Sequence, residues 1–172
     1  MSRHDDLYTQ AGEHFAPAIL RLAQAVEHDA EKARDLEQDI HAALWQSLGR
    51  FDEQCALKTW VYRVAHNVAA DHVRREKRSP KRVPLEEIET LPDGRNSERD
   101  AAQSHVLGQV RALIRQLPPL DAQVILLWLE GETGAGIAEI TGLSVSATNV
   151  RIHRIKHLLA AHFEDPQEGA SS

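Results

Sequence analysis

The sequence predicts an all-α protein made of two small helical bundles joined by a flexible acidic linker, the second bundle containing a helix-turn-helix. Three observations carry this. Apolar residues recur at helical spacing along most of the chain, whereas aromatics make up only 5% of it and strand-like alternation is rare. Residues 80–96 lose that spacing, with Pro80, Pro84, Pro92 and Gly94 set among acidic side chains. Near the C-terminus, Gly136-Ile-Ala-Glu-Ile-Thr141, then Gly142-Leu-Ser144, then Val145 through Lys156 read as helix, tight turn, helix.

In chain order, Phe15, Ile19, Leu22, Ala23 and Val26 form a first apolar stripe, with Pro17 placed in that helix's first turn, where a missing N–H costs little. Asp29 caps a second helix striped by Ala33, Leu36, Ile40, Leu44 and Leu48. A third runs from Leu57 to Lys77 and turns Leu57, Trp60, Val61, Val64, Ala65 and Val68 inward. Together these make an N-terminal bundle over residues 1–79. The linker, about 20 residues, reaches up to about 65 Å when extended, so the two halves need not touch.

Ser97 opens the C-terminal unit, residues 97–163, as a cap, and Val106, Leu107, Val110, Leu113, Ile114 and Leu117 stripe a fourth helix that Pro118-Pro119 ends. A fifth helix, near Leu120 to Glu130, stops at Gly131. In the helix-turn-helix, Ile137, Ala138 and Ile140 face inward, Gly142 supplies the turn, and Ser144 caps a last helix whose buried stripe is Ile152, Ile155, Leu158 and Leu159. Gly134 and Gly136 would each cost up to about 1 kcal/mol inside a helix, so the supporting helix is expected to start late or to be loose. Residues 164–172 read as a disordered tail.

A hydrophobic content of 42% suffices for one medium core or two small ones. No apolar run approaches a membrane span and no leader pattern opens the chain, so a cytoplasmic protein without membrane insertion is expected. The single cysteine, Cys55, allows no internal disulfide and no cysteine-based zinc site. There is no glycine-rich phosphate loop, no nucleophile elbow and no base partner for Cys55, so no enzyme and no cofactor is expected. His153 and His157 share a helical face, but no carboxylate lies close to them in sequence and no His-Glu-x-x-His arrangement is present; no metal site is assigned.

The net charge of −6 hides two basic islands. Residues 1–50 hold five basic and nine acidic residues, while 51–82 hold eight basic and four acidic. Residues 83–100 turn acidic again through Glu86, Glu87, Glu89, Asp93, Glu98 and Asp100; beyond Ser144, Arg151, Arg154 and Lys156 meet no acid until Glu164. Each island is a local field suited to phosphate. The last helix leaves Ser146, Asn149, Val150, Arg151 and Arg154 toward solvent, and an exposed helix with amide and guanidinium groups fits a DNA major groove. The third helix places Trp60, Tyr62 and Arg63 after the loop Phe51-Asp-Glu-Gln-Cys-Ala56 and ends in Asp71-His-Val-Arg-Arg-Glu-Lys-Arg78. Aromatics beside a basic helix suit a strand whose bases have left the duplex.

These residues resemble the bacterial sigma factors of the extracytoplasmic-function group, the dissociable promoter-recognition subunits of RNA polymerase. The likeness runs from about Leu7 to His162 and rests on Asp35-Leu-Glu-Gln-Asp-Ile40, on Thr59-Trp-Val-Tyr-Arg-Val-Ala-His-Asn67, and on Leu117-Pro-Pro-Leu with the helix-turn-helix. It implies docking on the clamp coiled coil and flap of core RNA polymerase, with Asp35, Leu36, Gln38 and Asp39 gripping the coiled coil. It implies that the loop before Leu57, with Trp60, Arg63, Asn67, Asp71, Arg74, Arg75 and Lys77, holds the unpaired minus-ten promoter strand. It further implies that Ser146, Asn149, Val150, Arg151 and Arg154 meet the minus-thirty-five element, that the linker follows the RNA exit path, and that an anti-sigma factor is a partner. Arg34, Gly134, Gly136 and Asn149 depart from the common pattern. The alternative is a stand-alone helix-turn-helix regulator, which would be dimeric and lack the second basic surface.

Overall fold

The computed structural model describes residues 2–77 and 98–168, which form seven helices: α1 (Arg3–Val26), α2 (Ala30–Leu48), α3 (Leu57–Lys77), α4 (Glu98–Gln116), α5 (Pro119–Leu129), α6 (Gly134–Thr141) and α7 (Val145–Glu168). The linker at 80–96, the Ser97 cap and the last four residues lie outside the described residues.

Local chemistry sets the helix ends. Ser2 and Asp5 form a capping box that starts α1 well before the sequence places it, so Pro17 sits in mid-helix on an exposed side, not in a first turn. The signal overlooked is the upstream continuation of the stripe through Ala11, which with Phe15, Ile19 and Ala23 is buried at four-residue spacing. Asp29 Oδ1 accepts from the backbone N–H groups of Glu31 (2.9 Å) and Lys32 (3.0 Å) at the start of α2. Pro119 occupies the first position of α5, and Gly131, at φ 94°, makes the turn after it. Thr133 Oγ1 accepts from Gly136 N (3.0 Å), which fixes the start of α6 at Gly134, so the helix does not start late. Gly142 closes α6 at φ 82°, and Ser144 Oγ accepts from Ala147 N (3.0 Å) at the head of α7.

In α7 the buried stripe is Thr148, Ile152 and Ile155, with Leu159 half-buried, whereas Leu158 is exposed. Thr148 joins the stripe because its hydroxyl donates to Ser144 O (2.9 Å) and needs no water. The helix continues to Glu168, through residues expected in a disordered tail.

Helices α1, α2 and α3 form a three-helix bundle around Leu36, Ile40, Leu44, Val61 and Ala65. The C-terminal helices pack onto it: α5 against α1 and α6 against α3. Val124, Leu127, Ile137, Ile140 and Ile152 share one apolar cluster with Phe15, Ile19, Val61 and Tyr62. A second cluster joins Ala25 of α1 to Ile114, Ala122, Ile125 and Ile155. The two halves that the linker length leaves free to separate are therefore in contact. Burying an aliphatic side chain of this size contributes about 1.5–3 kcal/mol, so the shared cluster outweighs any one surface ion pair between the halves.

Candidate nucleic-acid interface

The loop before α3 is held at both sides. Arg3 Nη2 pairs with Glu53 Oε1 at 2.8 Å, Asp52 Oδ1 accepts from Gln54 N (3.2 Å), and Phe51 meets Trp60 edge to face with centroids 5.3 Å apart. Glu53 adopts φ 63°, a left-handed conformation unusual for a residue with a side chain, so the loop stores strain of order 1–3 kcal/mol. Trp60 is half-buried and its Nε1–H donates to Ser47 Oγ (3.1 Å), so its indole belongs to the bundle at one edge and to the surface at the other. Cys55 is a free, half-buried thiol.

Along α3, Asn67, Asp71, Arg74, Arg75 and Lys77 are exposed, with Asp71 accepting from the Arg74 guanidinium. Arg63, one turn before Asn67, is held apart from this set: its Nη2 lies 3.3 Å from Glu139 Oε1 of α6. Lys58 Nζ lies 3.2 Å from Glu132 Oε1, in the turn before α6. Tyr62, expected among surface aromatics, is buried against Phe15; burial foremost, with the Glu130 and Glu132 carboxylates next, pushes its phenol up to about 12. His66 is buried as well, and its Nδ1 shares a hydrogen bond with Gln123 Oε1 of α5. Burial holds its imidazole below the ordinary value, with the Gln123 bond opposing the shift. Helical spacing alone does not separate these two from the surface residues, because what covers them lies on other helices, Phe15 of α1 against Tyr62 and Gln123 of α5 against His66.

The second face is α7. Ser146, Asn149, Val150 and Arg154 are exposed on one side of it, as expected. Arg151 departs from the expectation: it is half-buried and its Nη1 donates to Asp121 Oδ1 of α5 at 2.6 Å, so it braces α7 against α5. Gly134 gains a meaning that the sequence hides. A Cβ there would lie 2.1 Å from Asn149 Oδ1, so the missing side chain is the space that the Asn149 amide occupies. A Cβ at Gly136 would likewise lie 2.7 Å from Glu132 Oε2.

The third face is α2. Asp35, Gln38 and Asp39 are exposed in a row beside a groove lined by Tyr8, Arg34, His41 and Trp45, the last in tilted ring contact with His4. Leu36 is 0% exposed and reaches no partner; its place in the expected docking set is corrected to a core residue that seats the acidic row.

His153 and His157 stack with centroids 6.0 Å apart on the exposed side of α7. Among the described residues, the grouping with metal-ligand potential is instead Glu27, His72 and Glu76. Its donors are already matched: His72 Nε2 meets Glu27 Oε2 at 2.7 Å and Glu76 Oε2 accepts from Lys32 Nζ at 3.1 Å, so these side-chain contacts tie the ends of α1, α2 and α3 together. None of the described helices is long and apolar enough to cross a membrane.

Comparison with known proteins bears on these faces. Residues 13–79 match the family description Sigma-70 region 2, and residues 107–159 match Sigma-70, region 4. The RNA polymerase sigma-H factor of Pseudomonas aeruginosa is 31% identical over 150 residues, 82% of this chain and 78% of its own length. The ECF RNA polymerase sigma factor RpoE of Cereibacter sphaeroides is 28% identical over 166 residues, 93% of this chain and 88% of its own length. In fold, the chain is similar to the sigma factor RpoE solved in complex with the anti-sigma factor NepR from Bartonella quintana, with a TM-score of 0.67 at 21% identity over 91% of this chain and 96% of that one.

Proposed function

Because the chain belongs to the extracytoplasmic-function group of RNA polymerase sigma factors, we propose that it binds core RNA polymerase in the cytoplasm and directs initiation at promoters with minus-ten and minus-thirty-five elements. In this reading it supplies recognition and strand separation and no catalytic step of its own. The observation that carries it is the pair of polar, cationic helix faces on separate units, α3 and α7, within the segments that match regions 2 and 4.

The N-terminal unit, residues 1–79, would dock the polymerase through Asp35, Gln38 and Asp39 and hold the minus-ten strand. Asn67, Arg75 and Lys77 are exposed to meet it, as is Arg74 beside its Asp71 partner, and stacking on the Trp60 ring would be worth about 1–3 kcal/mol per base, enough to offset part of the cost of opening a pair. Residues 97–163 would read the upstream element through Ser146, Asn149, Val150 and Arg154, the amide suited to adenine and the guanidinium to guanine. Residues 80–96 would join the two as a linker. Two such faces on one chain favour this over a stand-alone regulator, which needs only the second.

Run-off transcription with bacterial core polymerase tests the reading. A promoter-dependent product absent from core enzyme alone is expected; its absence on a genomic fragment library rejects the proposal.

A further inference from the structure

Where α1 ends, α2 begins and α3 nears its close, one set of metal-type donors gathers. His72 and Glu76 are four residues apart on α3 and so share one side of that helix. Glu27, the residue that ends α1, reaches the same place, and one donor atom from each of the three lies within 4.8 Å of the others. Donors around a tetrahedral zinc ion sit about 3.3 Å apart, so small side-chain shifts turn the cluster into a coordination shell. The His72 and Glu27 side chains are each 12% exposed, which withdraws both from most competing water. Glu27 Oε1 also accepts from Asp29 N (3.1 Å), a bond that aims the carboxylate and leaves Oε2 for the cluster. The chain already seats a cation here, since Lys32 Nζ lies 3.1 Å from Glu76 Oε2. The hydrogen bond and charge of Glu76 foremost, with Glu27 and Asp29 adding to them, hold that ammonium above its ordinary value, the mark of a negative local field.

We propose that Glu27, His72 and Glu76 form a binding site for a first-row divalent cation of the zinc class, which enters by displacing the Lys32 ammonium into solvent. One imidazole nitrogen with two carboxylate oxygens is a donor set that zinc accepts readily, whereas magnesium and calcium favour oxygen alone. As a ligand, His72 presents the Nε2 lone pair, so its ring is neutral with the proton on Nδ1, and the contact between Nε2 and Glu27 gives way to the shared ion. Three protein donors leave the fourth position to water. The ion joins the end of α1 to the last two turns of α3, where Arg74, Arg75 and Lys77 lie, and adds positive charge at their base. The site is independent of the promoter assignment, because α1 and α3 of the N-terminal bundle supply every donor.

Calorimetric titration of zinc into the full chain, first stripped with a chelator, is the test. One ion per chain is expected, with a rise in melting temperature on the order of 5 °C when free zinc is about a hundredfold above Kd. Glu76→Gln should weaken the binding by about tenfold or more, and His72→Gln should abolish it. Should His72→Gln fail to fold, Glu76→Gln, at the more exposed position, decides alone. Lys32→Ala removes the competing ammonium and should tighten the binding severalfold; an unchanged affinity overturns the proposal, because the ion then does not enter at the seat of the ammonium. Binding that survives Glu76→Gln undiminished, or that is lost instead on combining His153→Gln with His157→Gln, places the ion elsewhere and overturns it as well. Weak uptake of several ions per chain, spread over the ten histidines, is adventitious binding only and likewise rejects the site.

Discussion

Arg154 and Arg151 stand one turn apart on the same helix and do different work. Arg154 is exposed, whereas Arg151 is bound to Asp121. Arg154→Ala should weaken binding to the upstream element by about 1–3 kcal/mol and relax preference at a single base. Competition binding with single-base variants of that element checks it; an equal loss on all of them would reduce Arg154 to a phosphate contact. Arg151→Ala should instead lower stability, read as an earlier urea midpoint, with base preference unchanged. Gly134→Ala separates the two kinds of effect in the opposite sense. Replacing a helical glycine stabilises by about 0.4–1 kcal/mol where the backbone permits, yet the new methyl must push Asn149 aside. A protein with a higher melting temperature and a changed base preference is the expected result, and unchanged preference would show that Asn149 reads nothing. The sequence could flag Gly134 as unusual but not say what filled its place, because the answer lies on the next helix.

At the scale of elements, most helices are legible, since caps and stripes are local signals. Asp29, Gly142 and Ser144 do what their residue types suggest. Ser144→Ala should cost about 1 kcal/mol of stability and weaken binding to the upstream element through α7 as a whole, because it removes the acceptor for an otherwise unpartnered N–H. Thermal melts paired with binding across several sequences check this; a change confined to one base would contradict it. What is not legible is the register of α7 at Thr148 and Leu158 and the early start of α1. Thr148 reads as polar until its hydroxyl is seen returning to Ser144 O. Pro17 suggests a first turn, and the capping box at Ser2 overrides it.

For the whole molecule, the association of the two halves is the feature least accessible from the chain. Its members, Tyr62 and His66 on one side and Gln123 and Ile137 on the other, come from segments that no local pattern links. His66 gives the association a pH dependence. Its folded pKa lies below the ordinary 6.5, so the neutral ring is the one accommodated; its contribution is complete above 6.5 and is lost as pH falls through the depressed value. The radius of gyration from small-angle scattering should therefore rise more between neutral pH and about pH 5 for the unmodified chain than for His66→Asn, and equal rises would remove His66 from the linkage. The three tryptophans add an optical consequence. Trp45 sits by the α2 groove against His4, Trp60 by the loop before α3, and Trp128 under Lys156 in the C-terminal unit. Each recognition event thus has its own native fluorophore, and three proteins that each keep one indole would time enzyme capture, strand uptake and upstream contact separately, without any attached dye.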